Sequence, residues 1–382
     1  MTPRILMVSR ITLAHGVKGG MEVALHALAE DLVARGCRVS MLTTQCPGLV
    51  GHPSTRVFEQ IWQVPTRRPG RYSLAWWIRT FKHQQALQWQ PDLVISISSA
   101  GASLLPGRRR PFPVVAQCHG TAWAEVQSSV TTGGIREWMK VLINCARIPR
   151  EAYAYRRFDR VWAVSKEVRD QLTARPYTTP KSRIGLIPNG IDSLKFTFDA
   201  DRRESIRAEW GIAHDTSVGV SLSRLHKQKG VDVAIRSLAV PGAAGRLLLV
   251  AGGGPERTRL AQLAETLGVA DRVRFLGHVE GEEIIDLLCG ADALIFPTRR
   301  HEGLPLSLLE ALAMGLPVLT TAQCNVPDDL RDRVTLTSGS PTDIAHTWPA
   351  TRNASQRISD LPSQYSARVN GAAYLCEVQA LV

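Results

Sequence analysis

Two glutamates, Glu302 and Glu310, stand eight positions apart in the run Arg300-His301-Glu302-Gly303-Leu304-Pro305-Leu306-Ser307-Leu308-Leu309-Glu310. Pro305, with its fixed φ and missing N–H, suits the first position of a helix. Gly315 can take the left-handed conformation past the last turn, and Pro317 blocks continuation. This places Glu302 in the loop before the helix and Glu310 in its second turn. The unpaired N–H groups of Gly303, Leu304 and Leu306 then point out of the helix start. Such a start attracts anions, and carboxylates on either side can accept hydrogen bonds from sugar hydroxyls. Taken alone, the run also fits an ordinary amphipathic helix with two surface acids.

Other residues could serve the same chemistry. Ser223-Arg224-Leu225-His226-Lys227-Gln228-Lys229-Gly230 follows an apolar run and precedes a helical pattern. Arg224 and Lys229 there set two cations at a strand's carboxyl end, where a diphosphate could sit; a solvated basic loop has the same composition. Gly252-Gly253-Gly254-Pro255 is a tight turn, but Arg257 occupies the third-glycine place of a dinucleotide fingerprint. Gly277-His278-Val279 closes another run. Gly19 and Gly20 open the first long helix and permit close backbone approach to phosphate or acceptor. His119 and Gly120 follow the run 114–118. Asp199-Ala200-Asp201 has the spacing of a divalent-metal pair, yet no strand leads into it. It reads as a helix cap, and no metal is expected.

Placing these residues takes alternating strands and helices. Short apolar runs at 4–8, 37–43, 92–97, 114–118, 160–164 and 184–187 predict one parallel sheet. Runs at 218–222, 247–250, 273–276, 293–296 and 318–321 predict a second. Helical patterns fall at 20–35, 231–238, 256–267 and 282–288. Pro188-Asn189-Gly190-Ile191-Asp192 is a turn cluster of the kind that links domains. Residues 335–356 are polar and turn-rich, and 365–381 return to a helical pattern. The expected fold is α/β, two tandem Rossmann-like domains facing each other across a cleft, with ligand at the carboxyl ends of the strands.

The chain has 382 residues and a net charge of +12. The first 190 residues hold 26 Lys and Arg against 11 Asp and Glu, so the basic excess lies wholly there. An anionic membrane surface or a phosphorylated substrate fits this charge; no nucleic-acid motif accompanies it, and no nucleic acid is expected. The first apolar run is too short for a secretory signal, and no stretch approaches the roughly 20 apolar residues of a membrane span. The seven cysteines are scattered and never form C-x-x-C, which suggests a reducing, cytoplasmic setting; the basic first half would allow a peripheral place on the inner face of the membrane. Two aromatic, basic stretches, 72–89 and 135–148, have the composition of interfacial helices, and also that of helices packed into a core, which is the more common case.

The run from Glu302 to Pro317 and its following valine resembles the signature of GT-B retaining glycosyltransferases, family 4 (glycosyl transferases group 1). The resemblance implies a transferase that moves a sugar from a nucleoside-diphosphate sugar to a saccharide or lipid-linked acceptor in cell-surface polysaccharide or lipopolysaccharide assembly. Carried over, Glu302 and the backbone of Gly303, Leu304, Pro305 and Leu306 meet donor sugar and phosphate, and Glu310 meets the ribose. Arg224 and Lys229 neutralise the departing diphosphate, His119 contacts the donor sugar, and Gly19, Gly20, Gly253, His278 and Val279 line the donor. No cofactor is implied beyond the nucleotide-sugar co-substrate. The domains implied are 1–185 for the acceptor, 186–362 for the donor, and a C-terminal helix, 363–382, of the kind that crosses back. Ser223 replaces the usual glycine, and Cys324-Asn325-Val326-Pro327-Asp328 replaces a more common Gly-Gly-x-x-Glu loop, with Asp328 standing in for the acid. A sugar-nucleotide epimerase of the same fold, a phosphorylase and a non-catalytic sugar-nucleotide-binding protein are the alternatives. The first would need extra acid–base residues and the second a cofactor lysine in a longer chain.

Overall fold

A computed structural model describes residues 2–15, 19–49, 51–66, 70, 76–80, 82, 89–105, 111–349, 357, 359 and 361–381. It divides into two units: Met1–Trp123 with Leu142–Ile191 and Ser363–Val382, and Ala124–Val141 with Asp192–Pro362. Each is built on one parallel sheet.

The first sheet joins β1 (Arg4–Val8), β2 (Arg38–Thr44), β3 (Ile61–Val64), β4 (Leu93–Ile97), β5 (Val114–Cys118), β6 (Arg160–Ala163) and β7 (Ile184–Leu186) in the order β3-β2-β1-β4-β5-β6-β7. With this sheet go α1 (Gly20–Ala34), α4 (Lys166–Thr173) and the C-terminal helix Ala367–Leu381, whereas most of α2 (Ala122–Thr132) and the start of α3 (Ile135–Arg157) belong to the second unit, and α3 continues into the first from Leu142. Side chains of a strand alternate between faces, so a strand covered on both faces is apolar throughout. In β1, Ile5 and Met7 join Leu25, Leu28 and Leu32 of α1 with Tyr374 and Val378 of the last helix. Leu6 and Val8 pack on the other face with Trp76, Tyr155, Phe158 and Tyr177. The parallel pairing of β1 with both β2 and β4 marks the point where strand order reverses, and ligands of such sheets bind beyond the carboxyl ends there.

The second sheet joins β8 (Ser217–Leu222), β9 (Arg246–Ala251), β10 (Val273–Gly277), β11 (Ala293–Phe296), β12 (Val318–Thr321) and β13 (Val334–Thr337) in the order β10-β9-β8-β11-β12-β13. Its helices are α5 (Ala200–Glu209), α6 (Val231–Ser237), α7 (Arg257–Thr266), α8 (Glu282–Gly290), α9 (Leu306–Ala313) and α10 (Pro341–Thr347). Asp199 caps α5 by accepting from Arg202 N at 3.0 Å, so the aspartate pair marks a helix start.

Three local expectations need correction. The outermost strands β3 and β13 were not expected: at a sheet edge they are only partly buried, and their sequences lack a continuous apolar run. The stretch read as polar and turn-rich contains α10, whose cap Ser340 accepts from Asp343 N. Pro305 is the residue before α9 rather than its first, with φ −67° and ψ 131°. Gly315 does adopt the left-handed stop, at φ +61°.

Candidate active site

In the second unit, β8 delivers the loop carrying Arg224 and Lys229, and β11 delivers Thr298 through Glu302. Gly230 has φ +71°, and a Cβ on it would stand 1.9 Å from Pro297 O. Only glycine lets these two loops approach so closely. Arg299 N then donates to Gln228 O at 2.8 Å, and the Arg299 guanidinium clamps both oxygens of Asp232 at 2.8 and 2.9 Å.

This closure brings the charged residues together. Lys229 Nζ donates to Glu302 Oε1 at 2.7 Å, and Thr298 Oγ1 donates to the same oxygen at 2.9 Å. Arg300 Nε stands 3.8 Å from the other oxygen. The backbone of Glu302 is held as well: its N–H donates to Gln323 O at 3.1 Å and its carbonyl accepts from Asn325 Nδ2 at 2.9 Å. Asn325 sits at φ +52°. In the variant loop it is therefore Asn325 that touches the motif glutamate, while Asp328 is exposed. Burial works against the ionised form of Glu302, but the attraction of Lys229 and Arg300 outweighs it and holds the carboxyl below its ordinary range. Burial likewise lowers Lys229, against the pull of Glu302.

Arg224 is exposed on the same loop, near enough for its charge to act on Lys229. Its backbone is supported by the glycine turn. A Cβ on Gly252 would lie 1.9 Å from Ser223 O and one on Gly254 2.3 Å from Leu225 O, whereas Gly253 faces open space. Gly252 N donates to Gly277 O at 2.5 Å, so His278 and Val279 leave β10 beside that turn. His278 is exposed and faces Glu280 at 3.6 Å.

At α9, the N–H groups of Leu306, Ser307 and Leu308 precede the first intrahelical bond, Leu309 N to Pro305 O at 3.5 Å. They are donors of the kind that helix starts offer to anions. Leu304 and Leu306 are buried and Gly303 is half-buried, so the two leucine side chains fix the turn. Glu310, one turn further on, is buried, and burial pushes its carboxyl up to about 7. No hydrogen bond to its carboxylate is present among the described residues.

Gly19, Gly20 and His119 belong to the first unit. Gly19 is the residue before α1, in extended backbone, and a Cβ there would meet Glu22 Oε2 at 2.7 Å. His119 directly follows β5. Its Nε2 is buried without a hydrogen-bond partner, and burial lowers the imidazole to about 4. Near neutral pH it is therefore a neutral ring suited to donating or accepting a hydrogen bond, not to carrying charge. Among the described residues no group of His, Cys, Asp and Glu could hold a metal ion.

Sequence reasoning missed the residues that brace this cluster from residues 124–141, which belong to the same unit. Glu125 pairs with the Arg300 guanidinium, and Ser128 Oγ accepts from His301 N at 2.9 Å. Glu137 accepts from Lys140 Nζ at 2.6 Å and from Gln228 Nε2 at 3.4 Å, and Lys140 also meets His226 Nε2 at 3.0 Å. Arg300 could have been suspected from its place beside Glu302. Nothing local announces Glu125, 175 positions away. Glu125→Ala is expected to lower stability by about 1–2 kcal/mol in urea unfolding, because a guanidinium loses its partner. The modest size follows from the side chains keeping 29 % and 27 % exposure.

Known proteins resemble this chain over most of its length. The model of Glycosyltransferase Family 4 matches residues 18–193 and that of Glycosyl transferases group 1 matches residues 202–347. A D-inositol 3-phosphate glycosyltransferase of Actinosynnema mirum is 36% identical over 188 residues, 46% of this chain and 44% of that protein. The chain thus spans less than half the length of that relative. A 2-deoxystreptamine N-acetyl-D-glucosaminyltransferase of Streptomyces fradiae is 28% identical over 322 residues, 78% of this chain and 74% of that one. In architecture, the chain matches Anabaena HepE, solved with UDP and glucose, at a TM-score of 0.75 over 100% of both chains and 18% identity. Matched in both units by these models and in fold by such structures, the chain belongs to the GT-B glycosyltransferases of group 1, family 4.

Proposed function

We propose that the protein moves a sugar from a nucleoside-diphosphate sugar to a hydroxyl of a saccharide or lipid-linked acceptor, with retention of anomeric configuration. The observation that carries this reading is the buried Glu302 held between the partly buried Lys229 and Arg300 beside the start of α9, with Glu310 buried one turn on and no hydrogen bond to its carboxylate among the described residues. Arg224, Lys229 and the N–H groups at the helix start receive the diphosphate. Glu302 and His119 orient the donor sugar, and Glu310 accepts from the ribose hydroxyls. The bond between the anomeric carbon and the phosphate oxygen breaks with its electrons passing to the diphosphate. The acceptor oxygen bonds the same face, and its proton goes to the departing phosphate oxygen, so no protein base and no metal are required. Preorganised donors aimed at that developing charge each contribute on the order of 3–4 kcal/mol.

In this reading residues 1–185 take the acceptor, and 186–362 the donor. The basic first half suits an anionic, lipid-linked acceptor of cell-surface polysaccharide or lipopolysaccharide assembly, met at the cytoplasmic face of a membrane. No described helix is long and apolar enough to cross a bilayer. The test is a screen of nucleotide sugars by thermal shift, followed by release of nucleoside diphosphate with acceptor pools and proton NMR of the new linkage. Acceptor-dependent release and a retained anomeric configuration are expected. Binding without release would favour the non-catalytic reading, and an epimerised sugar would favour the epimerase.

A further inference from the structure

The two aromatic, basic stretches meet opposite fates. Of the first, residues 72–75, 81 and 83–88 lie outside the described residues; Trp76 is fully buried, and Trp77 packs on the core with the Arg150 guanidinium 3.2 Å over its ring. That turn serves the fold. The second stretch is the start of α3, and it turns its largest apolar side chains outward. Ile135 is 84% exposed, Leu142 71%, Ile143 59%, and Trp138 and Met139 56% each. They recur at three- and four-residue spacing, so they form one continuous stripe along the helix. Burying such side chains in the fold would be favourable, so a stripe left in water marks a surface that binds something.

The charges of α3 say what it binds. The helix carries six Lys and Arg and two Glu. Both glutamates are buried, Glu137 against Lys140 and Gln228, and Glu151 against Ala122 N and Tyr177 Oη at 2.7 and 2.6 Å. Past the stripe, Arg147, Arg150, Arg156 and Arg157 are exposed, and Tyr153 is exposed between them. The outward face is thus apolar side chains bordered by cations, one of which, Arg147, stands 3.8 Å from the buried Glu151, and the helix exposes no acid of its own. That is the pattern of a helix lying in an anionic lipid interface, with its apolar side chains among the acyl chains and its cations at the headgroups. A second copy of the same helix would set like charges face to face.

We propose that the exposed face of α3, centred on Trp138, Met139 and Leu142, docks the protein on an anionic lipid surface. The proposal rests on the reading of a lipid-linked acceptor, and it adds which element makes the contact. It also has a consequence for the site. Glu137 and Lys140, on the inward side of the same turns, hold Gln228 and His226, so the lipid-bound helix is the one that braces the Lys229 loop.

The test uses the full chain and vesicles of phosphatidylcholine with and without phosphatidylglycerol, read by flotation at low and high ionic strength. The unaltered protein is expected to float with the anionic vesicles at low salt and to be released by high salt, since screening weakens the cationic border. Trp138→Ser/Met139→Ser/Leu142→Ser is expected to lower partitioning at least about tenfold. Its thermal shift with uridine and guanosine diphosphates should equal that of the parent, which shows that the fold and donor site are intact. Equal flotation of parent and variant, or none by the parent, overturns the proposal. So does a dimer in light scattering that the same substitutions dissolve, because the stripe then belongs to a second copy. Salt-sensitive flotation lost in the variant, together with no nucleotide release by the parent, would sustain the docking surface while the transferase reading fails.

Discussion

Lys229→Met is expected to destabilise the unliganded protein by about 3–5 kcal/mol, the usual cost of stranding one member of a buried ion pair. The methionine keeps most of the volume, so the loss reports charge and not packing. Both side chains are largely shielded, at 14% and 9% exposure. Glu302 would be left with Thr298 and a more distant Arg300, and burial would then push its carboxyl upward. The double variant Lys229→Met/Glu302→Gln removes the stranded charge and should recover a large part of the loss in urea unfolding, as coupled neighbours do. Turnover should not recover. It is expected to fall by about 10²–10³ in both variants, because a donor to the leaving diphosphate is absent from each. A double variant no more stable than the single one would count against the buried pair, and one with restored turnover would count against the role of Lys229. The pH dependence has a definite sign. Glu302 lies below its ordinary value of 4.5 when folded, so its share of stability is present above that value and is lost as pH falls through the folded one.

Glu310→Gln is expected to act in the opposite direction on stability while damaging function. Its carboxyl rises from 4.5 to about 7 through burial. The folded chain therefore holds a proton that the unfolded chain has released over that interval. Its contribution is fully present below 4.5, falls as pH rises to about 7, and is flat above. The difference corresponds to about 3 kcal/mol, as an upper figure. Above neutrality the glutamine variant should be the more stable protein when unliganded, and its unfolding free energy should lack that slope. Donor use should move the other way. An ionised carboxylate accepts from ribose hydroxyls better than an amide, and such charge-assisted bonds contribute about 1.5–3 kcal/mol. The donor KM is expected to rise about tenfold or more, with a smaller change in kcat. The acid limb of kcat/KM set by the free enzyme should disappear with the carboxyl. A variant with parental donor affinity would remove Glu310 from the ribose. One with a parental stability profile would show that its carboxyl ionises as readily as an exposed one.

The strands that carry the site could be read because fully covered parallel strands are predominantly apolar runs. β1, β5, β11 and β12 begin and end where those runs do. The stop at Gly315 and Pro317 and the cap at Asp199 were legible for a related reason, since φ limits and capping act over a few residues. The edge strands β3 and β13 were not legible, because Gln63 and the threonines of Val334–Thr337 interrupt their apolar runs, whereas the edge strands β7 and β10 kept theirs. Within residues 300–317 the sequence named Glu302 and Glu310 but could not distinguish their states. One is ionised against Lys229, and the other is held toward its neutral form by burial alone.

Chain order and local chemistry therefore determined two doubly wound units, the helix start after Glu302, and the cations on the loop after β8. Tertiary structure decided the rest: that Glu125 and Ser128 hold the loop after β11 while Glu137 holds the one after β8, that Asn325 of the variant loop touches the glutamate, and that Trp76 lies in the core while Trp138 stands in water. Local rules depend on neighbours a few residues away. Ion pairing and burial depend on which distant surfaces the folded layers press together.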